Sequence, residues 1–181
     1  SATDAQIAAS SLLSADLRGV DSHGIARLVG YVRLQEAGRV NVHAAPKMIH
    51  ETPSTGVVDG DAGLGLVVAP YAMQKAIEKA KAVGSGWISV QNSNHFGIAG
   101  HHAMMALPHD MIGIADIFSG VLSGANFGPW VPPFPAYLPM PENMPGKGIG
   151  HFFGAMRIDA FRTAEAFKTD MDLWIRRFRQ A

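Results

Sequence analysis

The stretch TGVVDGDAGLGLVVAPYAMQKAIEKAKAVGSGWISVQNSNHFG, Thr55 to Gly97, decides the fold. Its opening TGVVD is rich in β-branched side chains and reads as a strand. KMIHET, Lys47 to Thr52, reads as its partner across a Pro53–Ser54 turn. GDAGLG, Gly60 to Gly65, is punctuated by glycine and reads as a loop. Leu66 to Val83 carries Val67, Tyr71, Ala76 and Ala80 among its packed positions, with Gly84 directly past its end, and reads as a helix. GWISVQ, Gly86 to Gln91, is a buried strand, and NSNHFG, Asn92 to Gly97, the loop that leaves it.

Working outward, residues 98–107 read as a further helix and MIGIAD, Met111 to Asp116, as a further strand. Helix and strand in alternation predict α/β layering with parallel pairs. Toward the N-terminus, residues 4–15 (DAQIAASSLLSA) predict a helix anchored by Ile7, Leu12 and Leu13 and broken at Gly19. A second helix is expected from Ile25 to Ala37, with Ile25, Leu28, Val29, Val32 and Leu34 as its apolar stripe and Gly38 as its stop. Toward the C-terminus the pattern changes. IFSGVLSGANFG predicts a short helix and a turn, and seven of the eleven prolines fall between Pro129 and Pro145. Proline at that density excludes an internal strand or helix. Residues 129–146 are expected to form an extended arm, with Trp130, Phe134 and Tyr137 covering a neighbour or a second subunit, or else to act as a stiff linker. GHFFGAMRID, Gly150 to Asp159, reads as a strand, and residues 160–179 as an amphipathic helix. Two regions are thus expected: 1–115, and 116–181 packing back on it.

Composition bounds the function. Hydrophobic residues make up 48% of the 181, enough for a sizeable core. Lys+Arg and Asp+Glu are both 15, a balance that recruits neither nucleic acid nor an anionic membrane. No apolar run reaches the roughly 18 residues that span a bilayer, and no signal peptide is visible at the start. The absence of cysteine removes disulfides, thiolate metal sites and cysteine nucleophiles, and fits a cytoplasmic protein.

Two constellations could carry chemistry. In DSHGIAR, Asp21 to Arg27, an imidazole stands beside a glycine with a guanidinium four residues on. Histidine is the commonest acid or base near neutral pH, and arginine suits two-pronged capture of a carboxylate. An anion clamp beside a proton donor is what reduction of a 2-oxo acid needs. The same residues also read as a helix cap at Asp21 or Ser22, with His23 and Arg27 solvated. In NSNHFG a histidine sits in a polar loop at a strand's end, a common ligand position in α/β layers, and Gly97 permits close backbone approach. That loop also reads as a plain strand-to-helix turn in which Asn94 caps the next helix. His101, His102 and His109 lack the HExxH spacing and are expected to be solvated, so no metal site is expected. GLGLVVA, Gly63 to Ala69, lacks the third glycine of a dinucleotide fingerprint. GKGIG, Gly146 to Gly150, precedes a strand rather than a helix and reads as a hinge. No GxSxG elbow is present.

SADLRGVDSHGIARLVGYVRLQEAGRVN resembles the N-terminal signature of the malate/L-lactate dehydrogenase family. VDGDAGLGLVVAPYAMQKAIEKAKAVGSGWISVQNSNHFGIAGHHAMMAL continues the match, and GVLSGANFGP and GHFFGAMRIDAF resemble the family's C-terminal portion. The resemblance implies an α/β fold of helices layered on a mixed sheet, similar to L-sulfolactate and malate dehydrogenases and truncated in the middle. The join falls near Ala115 to Ile117, where the family carries most of its non-Rossmann nucleotide-binding domain and an aspartate that supports the catalytic histidine. By resemblance, His23 is the proton donor or acceptor, with Ser22 its hydrogen-bonding neighbour. Arg27 meets the substrate carboxylate, while Asn94, His95 and Gly97 approach the nicotinamide and the substrate. The implied activity is hydride transfer between NAD or NADP and a small 2-oxo or 2-hydroxy acid in a cytoplasmic homodimer. The alternative is a non-catalytic dimerising remnant that no longer holds nucleotide.

Overall fold

The computed structural model describes residues 1–117 and 149–157. Its centre is one long helix laid on a sheet. Gly65–Val83 is helical because apolar side chains recur every three or four residues: Val68, Ala69, Ala72, Met73, Ala76, Ile77 and Ala80 are all fully buried. Gly84 ends it in the left-handed region at φ 92°, its N–H donating to the Ala80 carbonyl. Alanines along the buried face bring the helix close to the sheet. A Cβ on Gly86 would overlap the Ala76 carbonyl, so only glycine lets strand and helix touch there.

In chain order the elements are α1 (Ala2–Asp16), α2 (Leu28–Glu36), β1 (Lys47–Glu51), β2 (Thr55–Gly63), α3 (Gly65–Val83), β3 (Ser85–Ser93), α4 (Ala99–Ala103), β4 (Met111–Ile117) and β5 (Ile149–Arg157). Short 3₁₀ segments lie at Asp21–His23, Ile25–Arg27 and Met104–His109. Ser1 opens α1 with a reciprocal cap: its hydroxyl accepts from the Asp4 N–H while the Asp4 carboxylate accepts from the Ser1 amino group. The sheet runs β1-β2-β3-β5-β4. Only β2 and β3 pair in parallel; β1 with β2, β3 with β5, and β4 with β5 are antiparallel. The main core joins Val58, α3, Ile88, Val90, Phe96, Ala106, Met111, Phe153 and Ala155. A second cluster of Leu12, Tyr31 and Leu66 ties α1 and α2 to the start of α3. Among the described residues no helix is long and apolar enough to cross a membrane.

The mixed α/β sheet with layered helices agrees with the expectation from sequence, and several details are corrected. The parallel pairs reduce to one, because β5 enters between β3 and β4 and runs against both. Gly60–Gly63 is strand rather than loop: β2 continues through a bulge at which Asp61 and Ala62 both take φ 52°. Likewise β3 runs on to Ser93. The helix expected at 98–107 is α4 followed by a 3₁₀ segment that runs through Pro108 to His109. The helix expected from Ile25 starts at Leu28. The proline-rich arm, the IFSGVLSGANFG turn beyond Ile117, the hinge before Ile149 and the terminal helix lie outside the described residues.

Candidate functional site

Asp16, the last residue of α1, organises the turn that follows. Its carboxylate accepts from the Ile25 N–H at 3.0 Å and occupies the space a Cβ on Gly24 would need. Gly24 has φ −89°, so space rather than backbone angle requires glycine beside the histidine. The chain then makes its two 3₁₀ turns on either side of Gly24. Neither Asp21 nor Ser22 makes a side-chain cap bond, which corrects the cap reading. Instead the Ser22 hydroxyl lies 2.9 Å from His23 Nδ1. Arg27 Nε donates to the Ser22 carbonyl at 2.6 Å, which folds the guanidinium stem back onto the His23 turn.

The loop after β3 supplies the opposing side. The His95 ring lies 5.4 Å from the His23 ring, centroid to centroid. The Tyr31 hydroxyl of α2 is 2.8 Å from His95 Nδ1, and the Gly97 N–H donates to the same nitrogen at 3.2 Å. A main-chain N–H can only donate, so Nδ1 is an acceptor, Tyr31 donates to it, and the ring proton sits on Nε2. Burial, then the Arg27 and His23 charges, push the His95 imidazole down to about 4, so it is neutral at pH 7. Burial raises the Tyr31 phenol, with the Arg27 charge opposing. One corner therefore holds a neutral histidine with its proton on Nε2, a second histidine backed by a serine, and the field of an arginine.

Ser22, His23, Arg27 and His95 thus meet. Asn94 and Gly97 tie the loop to the rest of the fold. Asn94 Nδ2 donates to the carbonyls of Ala62 at 2.9 Å and Gly63 at 3.0 Å, tying the loop to the end of β2; the cap of α4 falls on Ile98, without a side-chain bond. Gly97 is buried at φ 78°, and a Cβ there would come within 2.7 Å of Leu66. At the start of α3, a Cβ on Gly65 would overlap the carbonyl oxygens of Asn94 and His95, so the loop backbone seats directly on the helix terminus. Among the described residues no cluster of His, Cys, Asp and Glu is arranged to hold a metal ion. An apolar cavity of about 370 Å³ adjoins the site, lined by Leu12, Leu28, Val40, Leu64 and Leu66, with Tyr31 as the wall the two share.

Four residues of this site escaped the sequence reading. Tyr31 lay inside an apolar stripe, although its spacing from Arg27, one helical turn on, was a usable signal. Asp16 looked like a helix end. His151 sat in an apolar strand, and a histidine there is a buried polar group in want of a partner. His102, expected to be solvated, is fully buried.

Comparison with known proteins shows similarity to one family. A sequence model described as malate/L-lactate dehydrogenase matches residues 1–115. The malate dehydrogenase of Pyrococcus abyssi is 51% identical over 112 residues, 62% of this chain and 31% of that protein. The L-sulfolactate dehydrogenase of Methanocaldococcus jannaschii is 48% identical over 111 residues, 61% of this chain and 32% of that protein. The chain spans about a third of the length of these curated relatives. The solved malate dehydrogenase of Pyrococcus horikoshii OT3 superposes with a TM-score of 0.70 at 27% identity, covering 97% of this chain and 75% of that one.

Proposed function

Because the chain belongs to the malate/L-lactate dehydrogenase family, we propose that it serves an oxidoreductase that interconverts a small 2-oxo acid and the matching 2-hydroxy acid, with NAD or NADP as redox partner, in a cytoplasmic homodimer. The observation that carries this is the pairing of His23 with a neutral His95 at 5.4 Å, within reach of the Arg27 charge. The two imidazoles then divide the work. His95 holds its proton on Nε2 and is neutral at pH 7, so it donates a hydrogen bond to the substrate oxygen without surrendering the proton. His23 delivers the proton: in its charged form Nδ1–H donates to Ser22 Oγ and Nε2–H points to the substrate. After transfer, the proton left on Nδ1 still has Ser22 as its acceptor. Arg27 holds the carboxylate. When bound, a nicotinamide cofactor would supply or accept the hydride at the carbonyl carbon. Asn94 and Gly97 support the loop that carries His95 in this scheme, at the position expected to face the cofactor. His23, His95 and Arg27 suit a small carboxylic acid, and cofactor binding is the step to measure.

The test is titration with NADH and NADPH, followed by nicotinamide fluorescence, together with oxidation of the bound cofactor by a panel of 2-oxo acids including pyruvate and oxaloacetate. Cofactor binding and turnover with at least one acid are expected. A folded protein that binds neither cofactor at millimolar concentration would be the non-catalytic remnant, a reading that the span of about a third of its relatives' length keeps in view.

A further inference from the structure

The loop that carries His95 is held from below by two histidines that no step above uses. His151 of β5 places Nε2 2.8 Å from the Asn94 carbonyl oxygen. His102 of α4 places Nε2 2.7 Å from the Phe96 carbonyl oxygen. A carbonyl can only accept, so both imidazoles donate from Nε2. The two carbonyls belong to the residues on either side of His95. The Phe96 side chain is packed between the pair, 5.1 Å from the His102 ring and stacked on it, and 4.4 Å from the His151 ring. Phe153 closes the cluster edge-on to Phe96 at 5.8 Å. His102 and His151 are 0% and 1% exposed.

We propose that His102 and His151 are positioning residues for the site: a buried pair that suspends the Asn94–Gly97 loop by its main-chain carbonyls and so sets the direction of the His95 ring. Three observations carry it. The two bonds bracket His95, which projects the other way, to Tyr31 and His23. They come from elements far apart in the chain, α4 and β5, so they fix the loop to two separate parts of the fold. In both rings the other nitrogen, Nδ1, is buried without a partner among the described residues. Phenylalanine would fill the same aromatic space without that cost, so what each imidazole adds is the donated hydrogen bond. Burial lowers both rings to about 4, against which the carbonyl bonds act and with which neighbouring imidazoles act, His101 and His151 on His102 and His95 on His151. They are therefore neutral donors at pH 7.

The kinetic arm of the test rests on the dehydrogenase reading; the structural arm does not. His102→Phe and His151→Phe keep the ring and remove the donor, while His102→Gln and His151→Gln keep a donor near the position of Nε2. In the full chain carrying ¹⁵N-histidine, the His95 signals, assigned by their loss in His95→Gln, are expected to show an unprotonated Nδ1 and a protonated Nε2. In the Phe variants this fixed tautomer gives way to a mixture, and kcat falls roughly 10- to 100-fold with KM little changed, the range expected when a catalytic group is misplaced by about 1 Å. The Gln variants recover the native His95 pattern and most of kcat. Folded Phe variants with an unaltered His95 pattern and unaltered kcat overturn the proposal. If a Phe variant fails to fold, the matching Gln variant decides: a native His95 pattern supports the clamp, and a folded Gln variant that has lost the pattern refutes it. Absence of turnover in the unmodified protein, with the His95 pattern behaving as described, removes the dehydrogenase reading and leaves the clamp standing.

Discussion

His23 and Arg27 lie in consecutive 3₁₀ turns with nothing but Gly24 to Ala26 between them, and their proposed tasks separate cleanly on substitution. His23→Ala removes the proton donor from an exposed-to-half-buried turn where no core packing depends on it. Turnover should fall by about 10²–10⁴, with the thermal midpoint nearly unchanged; an undiminished kcat takes His23 out of the mechanism. Arg27→Lys keeps the charge and loses the two-pronged grip and the Nε bond to the Ser22 carbonyl. KM for the 2-oxo acid should rise about tenfold, the scale of one charge-assisted hydrogen bond, while kcat changes little. Steady-state kinetics on both variants, alongside melting curves, separate proton delivery from carboxylate binding.

At the scale of elements, the site is set by where α3 begins. The helix start presses on the Asn94–His95 backbone with no room for a methyl group at Gly65. The obstacles are main-chain oxygens, which cannot swing aside as a side chain can. Gly65→Ala must therefore move either the helix or the loop, at a cost of about 1–3 kcal/mol. Activity should drop further than stability, because the displaced segment carries His95. Urea unfolding gives the first number and kcat the second; an alanine variant of native stability and native rate would mean that loop and helix do not touch. Asn94 acts at the same joint, its two bonds to Ala62 and Gly63 fastening the loop to the bulged end of β2.

Across the whole molecule the buried histidines make stability depend on pH. His95, His102 and His151 each titrate near 4 in the folded chain, against an ordinary 6.5. Between those values the unfolded chain binds more protons, so stability is fully present above about pH 6.5, falls as pH drops through the window, and levels off below about 4. The two most buried rings, His102 and His151, each contribute roughly 3 kcal/mol to that fall. Urea midpoints compared at several pH values across the window should show it, and the combined His102→Phe, His151→Phe protein should show a flatter curve. A flat profile in the unmodified chain would place both rings in contact with solvent.

What the sequence alone determined is local. Alanines and aliphatics at helical spacing specify α3, and Gly84 its end, because both depend on residues a few positions apart. Ser22, His23 and Arg27 are near one another under any plausible turn for the same reason. Tertiary structure decided what depends on distant parts of the chain. The insertion of β5 between β3 and β4 joins strands more than thirty residues apart, and no periodicity within either strand records its neighbour. The meeting of His23 with His95 spans seventy-two positions. The charge state of His95, and the conversion of His102 and His151 into neutral donors, follow from loss of water around an imidazole, which exists only once the sheet, α3 and α4 have closed over it.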